Sequence, residues 1–181
     1  SCRRNLLLPA KSLSTHHPLP IKNVIPASGR ITLYIACGLQ DLQLGIRIAL
    51  GQASTSEVKA SNLRKGLRMI KEASENGADL LILPELFMAY RQLSEARGRF
   101  TSVAESLSGP FVTALSREAR RRRIHVAVGV FERSEKRGHV HNTVVMIGSN
   151  GAILSRHRKA QLFDSFGYVE SSRIAPGVEF E

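Results

Sequence analysis

A chain of 181 residues is long enough for one domain with a substantial core, and no run of about 18 uncharged apolar residues occurs in it, so nothing is expected to span a membrane. Its net charge of +11 invites a nucleic-acid role, but the excess is spread out: five basic and one acidic residue up to Gly45, then 21 and 14. The densest cluster, Arg120 to Arg123, ends a predicted helix, where cations complement the helix dipole, and no stacking aromatics interleave with it, so nucleic acid is not the expected partner.

The chain starts with Ser1, so its first residue is either processed or not the true start. Residues 1–45 contain many Arg, Ser, His and Pro and no acidic residue before Asp41, which forms a basic extension with the composition of a transit peptide. A flexible extension or sequence from outside the true reading frame would look the same. Pro18, Pro20 and Pro26 break any sustained amphipathic helix there. Cys2 and Cys37, the only cysteines, show neither metal-site spacing nor a disulfide framework, and His16-His17 reads as incidental. A reducing, cytoplasmic compartment is therefore expected, or a mitochondrial or other organelle one if the extension is an address. Ile31 to Ala36 has β character without an evident partner.

The folded part is expected from residue 46 to 181. Ile46 to Gln52 alternates as a first core strand, and Ser54 with Glu57 has the spacing of a capping box that opens a helix. Leu63, Leu67, Ile70 and Ala73 share the apolar face of that helix, and Asn76-Gly77 stops it. Leu80 to Leu83 reads as a buried strand, so the strand-helix-strand unit should cross over right-handedly into a parallel pair. Gly109-Pro110 opens a second helix, 111–123, with Val112, Leu115 and Ala119 inward. Ile124 to Phe131 is the next strand. Asn142 to Ile147 follows, joined by Ser149-Asn150-Gly151 to Ala152-Ile153-Leu154 as a hairpin. The whole predicts an α/β fold with a mixed sheet. His139 and His141 are two apart and could share a face, but no third ligand of suitable spacing accompanies them, and His125 reads as a packed strand residue. No glycine-rich phosphate loop occurs.

Two stretches carry chemistry. Pro84 cannot donate to a sheet ladder, so pairing should stop there and leave Glu85 at the C-terminal end of its strand, where α/β folds commonly hold reactive groups. The second stretch is Arg158-Lys159-Ala160-Gln161-Leu162-Phe163-Asp164. With Leu83-Pro84-Glu85-Leu86-Phe87, His141-Asn142-Thr143, Glu170-Ser171 and Ala175-Pro176-Gly177 in the same order and separation, the chain from Ile46 to Glu181 resembles the N-terminal part of a nitrilase-superfamily carbon-nitrogen hydrolase, of an amidase-like branch.

That resemblance implies a four-layer αββα sandwich, here partial and truncated at the C-terminus, which dimerises through helices when full length. It also implies a Glu-Lys-Cys catalytic set acting on a small-molecule amide, with no metal or organic cofactor. Glu85 would be the general base, Lys159 the stabiliser of the oxyanion, and Glu170 the second glutamate that positions lysine and substrate. A thiol mostly protonated at neutral pH needs a base, and the attacked carbonyl gains charge that a fixed cation offsets. The family's cysteine lies about 40 residues past the lysine, at a turn after a strand. Glu181 falls short of that position, and the residues from Pro176 resemble the approach to that strand. The 181-residue chain alone is thus expected to be inactive and, with sheet edges and apolar faces uncovered, to aggregate. The alternatives are a catalytically dead interaction module or a basic nucleic-acid-binding protein.

Overall fold

The computed structural model describes residues 22–24, 30–36, 45–92 and 95–177. The rest of the basic extension, with Cys2, Cys37 and His16-His17, lies outside the described residues, as does 178–181. Seven strands form one mixed sheet in sequence order: β1 (Lys22–Val24), β2 (Arg30–Ala36), β3 (Ile46–Gln52), β4 (Leu80–Ile82), β5 (His125–Arg133), β6 (Val140–Ile147) and β7 (Ile153–Arg158). β3, β4 and β5 run parallel, and the other neighbours are antiparallel. The partner that the sequence did not reveal for Ile31 to Ala36 is β3, which pairs with β2 along its whole length.

Residues paired across a ladder share a face, so the register sorts the sheet into two sides. Ala49, Leu81 and Val126 stand in one row and are fully buried. That side is covered by α1 (Lys59–Glu75) and α3 (Pro110–Arg122), whose buried residues include Met69, Ile70, Ala73, Val112, Leu115 and Ala119. Close contact is enforced at Gly51, where a Cβ would come within 2.8 Å of Met69 Cε. The opposite side shows Leu50, Ile82 and Val144, which are 37%, 37% and 42% exposed. One α/β pair of layers is therefore present among the described residues. None of their helices is long and apolar enough to cross a membrane.

The apolar face of α1 holds as expected at Ile70 and Ala73 and is wider than expected, extending to Asn62, Gly66 and Met69. Asn62, Gly66, Met69, Ile70 and Ala73 are buried, whereas Leu63 and Leu67 are only partly so. Gly66 admits Phe87 and Leu115, because a Cβ there would lie 3.0 and 3.1 Å from their side chains. Asn62 is buried because its amide is satisfied, donating to Ser56 O and Met88 O and accepting from Ser56 N. This clamp on Ser56 replaces the expected capping box: Val58 is the N-cap and makes no side-chain cap bond, and Glu57 pairs with Arg99 instead. The helix stops as expected at Asn76, followed by Gly77 at φ +75°. β7 continues past Leu154 to Arg158, four residues beyond the strand expected from its apolar start.

After β4 the chain makes a turn at Glu85 to Met88, with Leu86 at φ +53°. The turn stays tied to β5 on both sides, through Leu83 N to Ala127 O at 2.8 Å and Met88 N to Gly129 O at 3.2 Å. Between these ties its backbone lies directly on Gly129, where a Cβ would be 2.6 Å from Leu86 N and 2.8 Å from both Glu85 Cα and Pro84 O. No side-chain rotation relieves a clash with backbone. Gly129→Ala is expected to lower the urea midpoint by the equivalent of about 2 kcal/mol. Gly98→Ala, within the short helix α2 (Arg97–Thr101) with nothing inside 4 Å, should leave it equal or higher. An unchanged midpoint for Gly129→Ala would contradict the close approach.

Candidate functional site

Glu85 projects from the turn after β4 onto the sheet side that the helices leave open, and its side chain is 59% exposed. Its Oε1 accepts a hydrogen bond of 2.6 Å from Asn142 Nδ2 on β6. The backbone of the same Asn142 takes the next residue past β7: Lys159 N donates to Asn142 O at 2.8 Å. Lys159 O in turn accepts from Gly177 N at 2.9 Å, so the backbone of this lysine is held on both sides. Its Nζ stands 3.5 Å from Glu85 Oε1 and 3.0 Å from Glu170 Oε2.

Glu170 opens a single 3₁₀ turn, Glu170–Ser172, and is buried. Burial is tolerated because both oxygens have donors: Lys159 Nζ at 3.1 Å on Oε1 and Phe163 N at 2.8 Å on Oε2. Partial burial pulls the Lys159 ammonium toward deprotonation. The hydrogen bond it donates to Glu170 and the charges of Glu170 and Glu85 outweigh it and hold its pKa above the ordinary lysine range. At neutral pH the site therefore contains one fixed cation. The three residues singled out from sequence, Glu85, Lys159 and Glu170, meet in one cluster. Glu85 and Lys159 border a cleft of about 540 Å³ lined also by Asn142, Val144, His157, Ala160 and Gln161, within the size range of small-molecule sites, and Glu170 is buried behind the lysine.

Sequence reasoning missed the anchor beneath this cluster. Glu132, near the end of β5, is buried on the helix-covered side and receives Arg158 in a two-pronged pair, Nε to Oε2 at 2.8 Å and a terminal nitrogen to Oε1 at 2.6 Å. Thr143 Oγ1 donates to Oε2 at 2.9 Å, and Arg156 stands 3.4 Å from Oε1. Burial by itself would push the Glu132 carboxyl up, but the hydrogen bonds from Arg158 and Thr143 and the charges of Arg158 and Arg156 bring it below the usual range. The signal was the spacing of Val126, Val128, Val130 and Glu132, which places the glutamate on the same face as three core valines. The expected strand stopped at Phe131 and left it out.

The histidines are held by backbone carbonyls: His139 Nδ1 by Arg137 O, His141 Nδ1 by Ala175 O and His125 Nδ1 by Asp79 O. Only His141 of the spaced pair belongs to β6, since His139 precedes it. His157, which the sequence did not single out, lines the cleft.

Comparison with known proteins gives a family-model match to "Carbon-nitrogen hydrolase" over residues 47–180. The chain is similar to the omega-amidase NIT2-B of Xenopus laevis, 33% identical over 139 residues, which are 74% of this chain and 49% of that protein. Among solved structures, it resembles a protein of Xanthomonas campestris described as a CN-hydrolase superfamily member with an arsenic adduct in its active site. The TM-score is 0.62 at 29% identity, covering 74% of this chain and 47% of that one. The Caenorhabditis elegans NitFhit protein shares the fold, with TM-score 0.65 at 24% identity over 73% of this chain and 33% of that one. The chain thus spans about half the length of the curated relatives it matches.

The Glu132 anchor makes stability depend on pH. Because the folded pKa lies below the unfolded value of about 4.3, its contribution is complete above that pH and is lost as pH falls through the folded value. Glu132→Gln should cost about 2 kcal/mol at pH 7, by taking the buried carboxylate away from the partly exposed Arg158 and Arg156, and should flatten the acid limb of stability against pH. Urea unfolding at neutral pH and across the acid range measures both effects.

Proposed function

The chain belongs to the carbon-nitrogen hydrolase family, and from that premise we propose that it carries the base and the oxyanion-stabilising cation of an amidase acting through a thiol nucleophile. The observation that carries this reading is Lys159 Nζ, held between Glu85 and Glu170 at the edge of an open cleft. Glu85 is the general base. Its Oε1 is occupied by Asn142 and Lys159, and among the described residues its Oε2 accepts no hydrogen bond, so Oε2 is the atom that takes the thiol proton and later a proton from water. Asn142 orients that carboxylate.

Attack of the thiolate on the amide carbon drives electrons onto the carbonyl oxygen, and the Lys159 ammonium offsets the charge that develops there. As this intermediate collapses, Glu85 passes the thiol proton to the leaving nitrogen, which departs as ammonia or an amine, and the thioester left behind is hydrolysed by water with Glu85 again as base. Glu170 does not exchange protons in this scheme: buried and bonded at both oxygens, it keeps the lysine charged and aimed. The substrate is a small amide, and the omega-amidase relatives make omega-amides the first class to test.

Cys2 and Cys37 lie outside the described residues and match no position of the family's nucleophile. The purified 181-residue chain is accordingly expected to show no turnover of short primary amides. A chimera joining residues 46–181 to the second half of the Xenopus laevis omega-amidase should hydrolyse them. Glu85→Gln or Lys159→Ala in that chimera should reduce kcat by about 10²-fold or more. A folded chimera whose activity ignores both substitutions would sink the assignment, and turnover by the 181-residue chain would overturn its predicted inactivity.

A further inference from the structure

At the far end of the β6–β7 hairpin from Asn142 and Lys159, a second cleft of about 300 Å³ opens between α3 and the turn around Asn150. Six residues of strand separate the two ends, about 20 Å at the rise of a β-strand, so the clefts are distinct. Thr113, Ser116, Arg117 and Arg120 line it from positions i, i+3, i+4 and i+7 of α3, which form one helical face. The opposing wall is built to fit. Gly151, at φ +81°, lies so close to the helix that a Cβ would meet Ser116 O at 2.8 Å and Arg120 Cβ at 3.1 Å.

The lining offers Arg117, Arg120, Ser116 and Asn150 as donors and no carboxylate, the Thr113 hydroxyl being spent on Ser108 O. Further along the helix Arg121 and Arg122 are committed to Glu118, and Arg122 also to Glu75. Among the described residues, Arg117 and Arg120 take part in no ion pair, and Ser116 Oγ makes no hydrogen bond. Asn150 Oδ1 is taken by Ala152 N, so this side chain has its Nδ2 donor left to offer. Leu107 and Ile153 add apolar surface. Two guanidinium groups flanked by neutral donors match a dianion with several acceptor oxygens, and the apolar surface suits a carbon substituent on it.

We propose that this cleft binds a small phosphate monoester. Phenyl phosphate titrated into the 181-residue chain by calorimetry at fixed ionic strength should fill one site per chain, more tightly than inorganic phosphate or benzoate. Arg117→Gln or Arg120→Gln should each weaken it by about tenfold or more, and the pair should abolish it. Gly151→Ala, which keeps every charge but forces the turn off the helix, should also weaken it in a protein whose circular dichroism is unchanged. Arg64→Gln and Lys136→Gln, which remove a charge elsewhere, should not. Absence of saturable binding, or equal loss in the two control variants, would overturn the proposal. So would equal affinity for phenyl and inorganic phosphate, or for phenyl phosphate and benzoate. Tighter binding of a DNA duplex with a steep salt dependence would assign the arginines to nucleic acid instead.

Discussion

The geometry of the site depends on a missing side chain. Because Gly129 has no Cβ, the turn from Pro84 to Leu86 can rest on the middle of β5 instead of standing off its edge. This places the Glu85 carboxylate over the sheet, within reach of β6 and of the end of β7. A glutamate held a few ångströms higher would be out of hydrogen-bond reach, and Asn142 and Lys159 would have no shared partner. Sheet register does the rest: the ladder that puts Lys159 N on Asn142 O also puts the lysine and asparagine side chains on one face.

Strand alternation gives the two adjacent cations different tasks. Arg158 and Lys159 follow each other in sequence, yet Arg158 turns to the helix-covered side and is gripped by Glu132, while Lys159 turns to the open side between Glu85 and Glu170. The pair is a poor source of net stability, since the glutamate and part of the arginine had to leave water to form it. Its value lies in position. By fixing the last residue of β7 through two parallel hydrogen bonds, it sets where the next residue begins. The ammonium thus inherits its place from a neighbour that never faces the cleft.

How much of this was legible in the sequence follows from the range of each interaction. The order of strands and helices from Ile46 onward, the parallel β3–β4 crossover and the glycine stop of α1 rest on local periodicity and turn chemistry, and these are visible in one dimension. The deeper burial of Asn62 and Gly66 beside Leu63 and Leu67 was not legible, because its reasons lie 20 to 50 residues away, at Met88 and Leu115, and the helix begins after Val58 instead of at a Ser54 cap. Glu85, Lys159 and Glu170 could be picked out by their motifs, but the motifs did not disclose that Asn142 links two of them by side chain and backbone at once. Glu132 was hidden for a further reason: a carboxylate beside a run of valines reads as a strand end until the arginines that neutralise it are found two strands away.

The open side of the sheet has a consequence for chemistry. Leu50, Ile82 and Val144 share that side with Glu85, Asn142 and Lys159. A layer laid on the apolar patch would therefore also roof the charged cluster, and the water it displaced from one would be displaced from the other. Removing water lowers the local dielectric, and the pull between the ammonium and its two carboxylates grows as that dielectric falls. Covering of the sheet and the electrostatic strength of the charged cluster would then rise together, as one event.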